Sequence, residues 1–327
     1  MKIAQIVVAI AVACATGAAY AARTLEAIVF PSGFNWPLWV AIEKGEFARE
    51  GLDVKLSMTP GSVFQMQGLA AGKFDLGMTT IDNVIAYDEG QGEARLDSPP
   101  DFFAFMGGQI GAVRLVAQPG IGSINALKGK GLAVDATTIG YAFVLKKLLQ
   151  KGGLAESDYR LEVVGATAKR AQALMQGETA ATILTSPLEI LPESKGFRRL
   201  ANATDVVGPY QALVGVARRS WARDNAEALT GFIRAYVRAL DWLADPAHKS
   251  EAIAIYRKNI PTASEENAAR AWDVMLASGE GFQKKAKLDP AAIETVLQLR
   301  REFGPPGARL GPPAKYIDET YYDQALR

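Results

Sequence analysis

The sequence predicts a two-lobed α/β protein, each lobe a parallel-rich sheet covered by helices, followed by a helical C-terminal third. Two observations carry this. The first is a pair of similar stretches, residues 67–80 (QGLAAGKFDLGMTT) and residues 172–185 (QALMQGETAATILT). Identity is confined to Gln67/Gln172, Leu69/Leu174, Gly72/Gly177 and Thr80/Thr185, yet each copy reads as a helix end, a helix-stopping glycine, a small-residue strand and a polar loop. The second is that the same order of elements, β-loop-α-β-loop-α-β-loop, surrounds both copies. Strands alternating with helices imply parallel sheets joined by right-handed crossovers, and two such units facing each other make a cleft.

In the first unit the elements are a strand at residues 25–30, a loop at 31–37, a helix at 38–49 ended by Gly51, and an alternating strand at 52–58. Ala41, Ile42 and Phe47 recur at roughly helical spacing and are expected to pack that helix on the sheet, with Gly45 permitting a break. In the second unit a strand at 131–134 leads to a loop at 135–140. A helix then runs to about Lys151, Gly152-Gly153 ends it, and a strand follows at 159–164. Apolar periodicity places C-terminal helices at 226–243, 249–258, 263–278 and 290–303, broken at Pro246, Pro261 and Pro290. Trp242, Tyr256, Trp272 and Met275 are expected in their core.

Length and composition suit two domains with a sizeable core: 327 residues, 49% hydrophobic and 22% charged. No basic block points to nucleic acid. The N-terminus reads as an export signal, with Lys2, an apolar run at residues 6–15 and an Ala19-Tyr20-Ala21 cleavage site, giving a mature start at Ala22 or Arg23. A retained membrane anchor is the rival reading, but the run is short of the ~20 residues a span requires. Lipoprotein processing at Cys14 is another, although Ala11-Val12-Ala13 departs from the usual Leu-led lipobox. Cys14 is the only cysteine, so a processed chain has no disulfide, thiol nucleophile or Cys-ligated metal. Loss of Lys2 brings the 36 basic and 35 acidic residues into balance, so net charge alone steers no charged partner.

Residues 36–47 (WPLWVAIEKGEF) with 50–54 (EGLDV) resemble the opening signature of the NMT1/THI5-like family. Residues 69–76 (LAAGKFDL) resemble its second signature and 127–134 (LKGKGLAV) its third. The resemblance covers most of residues 25–220, and Ala126 stands where an Asp is common. It implies the type II periplasmic-binding-protein fold with a hinge, and C-terminal helices that wrap the first lobe. The corresponding division is a signal peptide at 1–21, a first lobe at 22–114 and 213–327, and a second lobe at 115–212. The family includes substrate-binding proteins of ABC importers for sulfonates, nitrate, taurine and thiamine precursors, which implies an ABC permease as partner.

Open α/β sheets bind ligands at the C-terminal ends of their strands. The candidate ligand contacts therefore lie in paired loops: Phe34, Asn35 and Trp36; Gly61 and Ser62; Thr79, Thr80 and Asp82. Their counterparts are Thr137, Thr138 and Tyr141; Thr167; and Thr185 with Ser186. Helix N-termini in these loops would offer N–H groups to an oxyanion; Ser62, Thr138 and Thr167 capping their own helices explains the hydroxyls equally. Phe34, Trp36 and Tyr141 would stack on an apolar or aromatic body, with a hydrophobic staple as the alternative for Trp36. Asp82 is read either as an acceptor for a ligand amine or as a cap. Arg114 is read either as a carboxylate clamp or as a hinge ion pair, and Asp135 is ambiguous in the same way. Tyr210 would line the hinge near a second crossover at 212–217, and Lys169 and Arg170 are expected to face solvent.

Nothing in the residues argues for catalysis. The sole histidine, His248, follows Asp245-Pro246-Ala247 in a capping turn, and no Cys/His, Ser/His or metal-ligand spacing is present. Enzymes that share the fold, as the resemblance implies, use cysteine motifs absent here. The expectation is a monomeric periplasmic solute-binding protein without cofactor or metal, closing on a small organic ligand such as an aromatic or alkyl carboxylate or sulfonate. A periplasmic enzyme on the same fold and a sensor subunit for a membrane receptor are the alternatives.

Overall fold

A computed structural model describes residues 22–307 and 309–327. The predicted leader, with Cys14 and the cleavage site, lies outside the described residues. Among the described residues eleven strands form two sheets: β1 (Arg23–Val29), β2 (Leu52–Met58), β3 (Leu76–Thr80), β4 (Phe102–Ile110), β5 (Val113–Ala117), β6 (Gly131–Val134), β7 (Arg160–Val163), β8 (Ala181–Thr185), β9 (Arg198–Asn202), β10 (Gln211–Arg218) and β11 (Gly281–Phe282). The first sheet has the order β11-β4-β10-β3-β1-β2 and the second β7-β6-β8-β5-β9.

The duplication extends through both sheets. β2-β1-β3 and β7-β6-β8 are parallel trios built in the same order. Helix Ser62–Ala70 precedes β3 as helix Thr167–Met175 precedes β8. Beside each trio lies an antiparallel strand that has just crossed from the other sheet, β10 on β3 and β5 on β8. These exchanged strands tie the two sheets together. β4 is buried along nearly its whole length, as suits a strand that is apolar apart from Gln109 and covered on both faces.

The single helix expected at 38–49 is two, Trp36–Glu43 and Glu46–Arg49, divided where Gly45 takes a left-handed conformation (φ 70°). The break re-aims the packing. Phe47 stacks on Phe232 at 5.2 Å, while Ile42, expected on the sheet-facing side, is 44% exposed. Helix Ala226–Ala244 covers this corner and is tied to it by Arg234–Glu50 (2.7 Å) and Arg238–Glu46 (2.7 Å).

The C-terminal helices do more than wrap the first lobe. Helix Pro290–Phe303, begun by Asp289 accepting from the N–H groups of Ala291 and Ala292, also lies along helix Gly140–Lys151 of the second lobe. Phe143 and Phe303 stack at 6.4 Å, and Lys147 pairs with Glu302 at 2.7 Å. Tyr256 and Met275 are core residues, as expected, whereas Trp242 and Trp272 are only partly buried. His248 stacks on Trp242 at 4.4 Å. Among the described residues no helix is long and apolar enough to cross a membrane.

Candidate ligand cleft

Between the lobes lies a narrow cavity: about 420 Å³ of space between atoms, open solvent included, around an interior with room for little more than a water molecule in this conformation. One wall is apolar: Phe30 after β1, Phe34, Ile139 and Leu213. Its polar groups sit at strand ends. Thr80 closes β3, Gln109 lies near the end of β4, Asp135 follows β6 and Thr185 closes β8, the arrangement parallel sheets provide for a ligand. Asn83, Tyr141, Thr167 and Arg170 complete the lining.

Two of these polar groups are buried with an oxygen left unbonded. Asn83 donates its amide to Thr79 Oγ1 at 2.9 Å, leaving Oδ1 unbonded, and Thr185 Oγ1 has no partner at all. Asn83 and Thr185 are each 1% exposed, so unpaired atoms here are costly unless something in the cavity bonds them. Burial, above all, pushes the Tyr141 phenol up, keeping it a neutral donor.

Arg170 corrects the expectation of a solvent-facing side chain: it is 1% exposed. Its Nε donates to Thr182 Oγ1 (3.2 Å), Nη1 to the Gly165 carbonyl (2.7 Å), and Nη2 to Thr167 Oγ1 (3.0 Å) and the Ile183 carbonyl (3.1 Å). Every one of these acceptors is neutral. Burial lowers the guanidinium's pKa, with Asp135 and Tyr141 opposing, but an arginine does not lose its proton in a protein. A buried positive charge thus stands on the cavity wall, oriented by four bonds and paired with no carboxylate among the described residues.

Several anticipated contacts have other partners. Trp36 is fully buried and off the cavity wall; its indole donates to the Ala252 carbonyl at 3.1 Å and its ring lies 4.5 Å from Tyr256, so it joins the first helix to the C-terminal helices. Asn35 donates to the Phe30 carbonyl at 2.7 Å. Thr79 is held by Asn83, and Ser186 donates to the buried Glu189 at 2.6 Å. Arg114 makes an ion pair with Glu280; despite burial, this arginine and Thr204 hold the Glu280 carboxyl below its ordinary range. Thr137 stays off the cavity wall, and the Thr138 hydroxyl donates to Glu93. Tyr210 is buried with its hydroxyl unbonded and its ring 6.2 Å from Tyr141.

The carboxylates account for the helix N-termini. Asp82 is fully buried and accepts from the Gly140 N–H at 2.5 Å, so a first-lobe side chain already serves the start of helix Gly140–Lys151. Both its oxygens also receive Arg300, and, fully buried and off the cavity wall, it presents no face to a ligand amine. Across the cleft, Asp135 accepts from the Ser62 N–H at 3.3 Å and lies against Gly61. Ser62, Thr138 and Thr167 do not cap their own helices; the Thr167 hydroxyl accepts from Arg170 instead.

The described cavity residues missed in the sequence were Phe30, Asn83, Gln109, Ile139, Leu213 and, above all, Arg170. That arginine had a signal: Thr167, Arg170, Ala171 and Leu174 form one buried helical stripe with the charge inside it.

The NMT1/THI5-like family model matches residues 35–249. No curated relative matches the sequence. A solved protein from Bordetella bronchiseptica RB50 is 22% identical, covering 94% of this chain and 97% of its own, with TM-score 0.77. The periplasmic nitrate-binding protein NrtA from Synechocystis PCC 6803 is 14% identical over 93% of this chain and 88% of its own (TM-score 0.76). The alkanesulfonate-binding protein SsuA from Xanthomonas axonopodis pv. citri, bound to MOPS, is 15% identical over 90% and 98% (TM-score 0.69). The chain therefore has the periplasmic-binding-protein fold.

Proposed function

The chain belongs to the NMT1/THI5-like family, and on that premise we propose that it is a solute-binding protein of an ABC importer. Exported to the periplasm, it captures a compact organic anion in the interlobe cavity and delivers it to a membrane permease. The lobes divide where the strands change sheets, between Ile110 and Val113 and between Asn202 and Gln211, so Arg114 belongs to the second lobe. Closure about these crossings buries the ligand, and closure is favoured only as far as the ligand prefers the closed state.

The observation that carries the ligand class is Arg170. Four neutral acceptors orient its charge, and the Asp135 carboxylate on the same wall bears on it electrostatically without bonding it, so a carboxylate or sulfonate on the cavity side supplies a counter-charge in contact. Thr167 bonds it, and Thr80, Asn83, Gln109, Asp135, Tyr141 and Thr185 complete the polar set. Phe30, Phe34, Ile139 and Leu213 suit an alkyl or aromatic body, which an inorganic anion such as nitrate leaves unused.

A thermal-shift screen of carboxylates, sulfonates, neutral heterocycles and amines tests this. A ligand at ~100 times its Kd stabilises by ~2.7 kcal/mol, a readable shift. Organic monoanions are expected to raise the melting midpoint. A response confined to amines or to neutral heterocycles contradicts the ligand class while leaving a transport role open. Chemical turnover of a stabilising compound by the purified protein contradicts the binding-protein reading itself.

A further inference from the structure

Asp82 and Arg300 form a fully buried ion pair, both side chains at 0% exposure, with Arg300 Nε on Asp82 Oδ1 at 2.8 Å and Nη2 on Oδ2 at 2.6 Å. Asp82 comes from helix Ile81–Asp88 after β3, and Arg300 from the C-terminal helix that bridges the lobes. The pair does not close on itself. Asp82 Oδ2 also accepts from the Gly140 N–H at 2.5 Å, and Arg300 Nη2 also donates to the Thr138 carbonyl at 3.1 Å. One acceptor and one donor thus grip the backbone on either side of Ile139. The Phe143 ring packs 5.1 Å from the Arg300 guanidinium, and Gln91 takes its remaining nitrogen at 2.9 Å.

What is gripped is a piece of the ligand cavity. Ile139 and Tyr141 line it, one on each side of Gly140. We propose that Asp82 and Arg300 are positioning residues of the cleft: a latch made from the chain's own groups, which docks the 138–140 backbone of the second lobe on the first and sets Ile139 and Tyr141 against the solute. The latch draws lobe–lobe closure from protein contacts, so ligand adds to a closure that the protein already favours. Its effect on affinity rests on the cavity being the solute site; its effect on closure does not.

Removing either charge leaves the other buried, so those variants risk unfolding. Gly140 offers a cleaner test. A Cβ there meets the Tyr210 hydroxyl at 2.5 Å and Asp82 Cβ and Cγ at 2.8 and 2.9 Å. Within its own lobe an alanine at the first position of a helix is unstrained, so Gly140→Ala wedges the seam alone. Small-angle scattering of the purified protein, without added solute, compares its radius of gyration with that of the wild type, beside the melting midpoint. The expected result is a larger radius for Gly140→Ala with a midpoint shifted by no more than about 2–4 °C. Arg300→Lys, which keeps the charge but loses the forked geometry, is expected to expand the protein in the same direction. An unchanged radius in a folded Gly140→Ala overturns the latch whatever the ligand is. So does an unchanged radius in a folded Arg300→Lys; if that variant does not fold, Gly140→Ala decides.

Discussion

Arg170 and Arg300 are both buried arginines, at 1% and 0% exposure, and they differ in what surrounds the charge. Arg300 has a carboxylate, Asp82, on two of its nitrogens. Arg170 has two hydroxyls and two carbonyls. A paired charge is finished business within the protein, and its work is to hold elements together. A charge held in place but left uncancelled is expensive unless a counter-ion arrives. Asp88 shows the escape open to an acid in a similar position. Half-buried with one oxygen unbonded, it is pushed by burial to about 6, and so can shed its charge by taking a proton. Arginine has no such escape, which is why its place on the cavity wall points to an anionic ligand.

Breaking the paired side has the largest expected effect on folding. Arg300→Gln strands Asp82 and is expected to cost about 3–5 kcal/mol of stability, read as a lowered denaturation midpoint; a midpoint like the wild type's means the pair carries no structural load. Trp36→Ala belongs with it. Despite its position in a cleft-facing segment, its indole is core, and the expected loss is about 3–5 kcal/mol of stability. A normally stable Trp36→Ala with weakened ligand binding restores the stacking role.

Breaking the unpaired side reverses the readouts. Arg170→Gln is expected to lose roughly 2–5 kcal/mol of affinity for an organic anion, with a much smaller effect on the melting midpoint than Arg300→Gln. If the two variants lose stability alike, the contrast between them fails. Tyr141→Phe sharpens it further: a neutral phenol donating to the solute is worth about 1 kcal/mol, seen in titration and absent from unfolding. A Tyr141→Phe variant that binds unchanged removes the phenol from the site.

The smallest effect tests the escaping charge. Because the folded pKa of Asp88 lies above its ordinary value of 3.8, the folded state binds the extra proton, and stability falls as pH rises from about 4 to 6. Asp88→Asn is expected to remove that fall, about 1 kcal/mol after allowance for the exposed part of the group. A pH–stability curve identical to the wild type's across that window contradicts the shift.

The fold was legible because its evidence is local and repeated. Gly72 and Gly177 stop equivalent helices, and Thr80 and Thr185 close equivalent strands. The cavity was half legible for the same reason: strand ends locate Phe34, Thr80, Tyr141, Thr167 and Thr185. What the sequence withheld was partnership across long separations. Asp82 and Arg300 lie 218 residues apart, Trp36 and Ala252 216 apart, and no local pattern joins them. The two arginines were nevertheless marked. Arg170 follows Thr167 and precedes Ala171 and Leu174, and Arg300 follows Ile293, Val296 and Leu297, each charge filling a place in a buried helical stripe. A charge at an apolar position is the signal, and only the tertiary structure tells whether a carboxylate answers it.

The most direct test of the central claim uses one ligand body with two head groups. A carboxylate that stabilises the protein is titrated calorimetrically beside its isosteric primary amide, into wild type and into Arg170→Gln. The account predicts that wild type prefers the acid by tenfold or more, the factor that about 1.4 kcal/mol represents, and that Arg170→Gln loses this preference. Equal binding of acid and amide by wild type, or an acid preference that survives in Arg170→Gln, contradicts it.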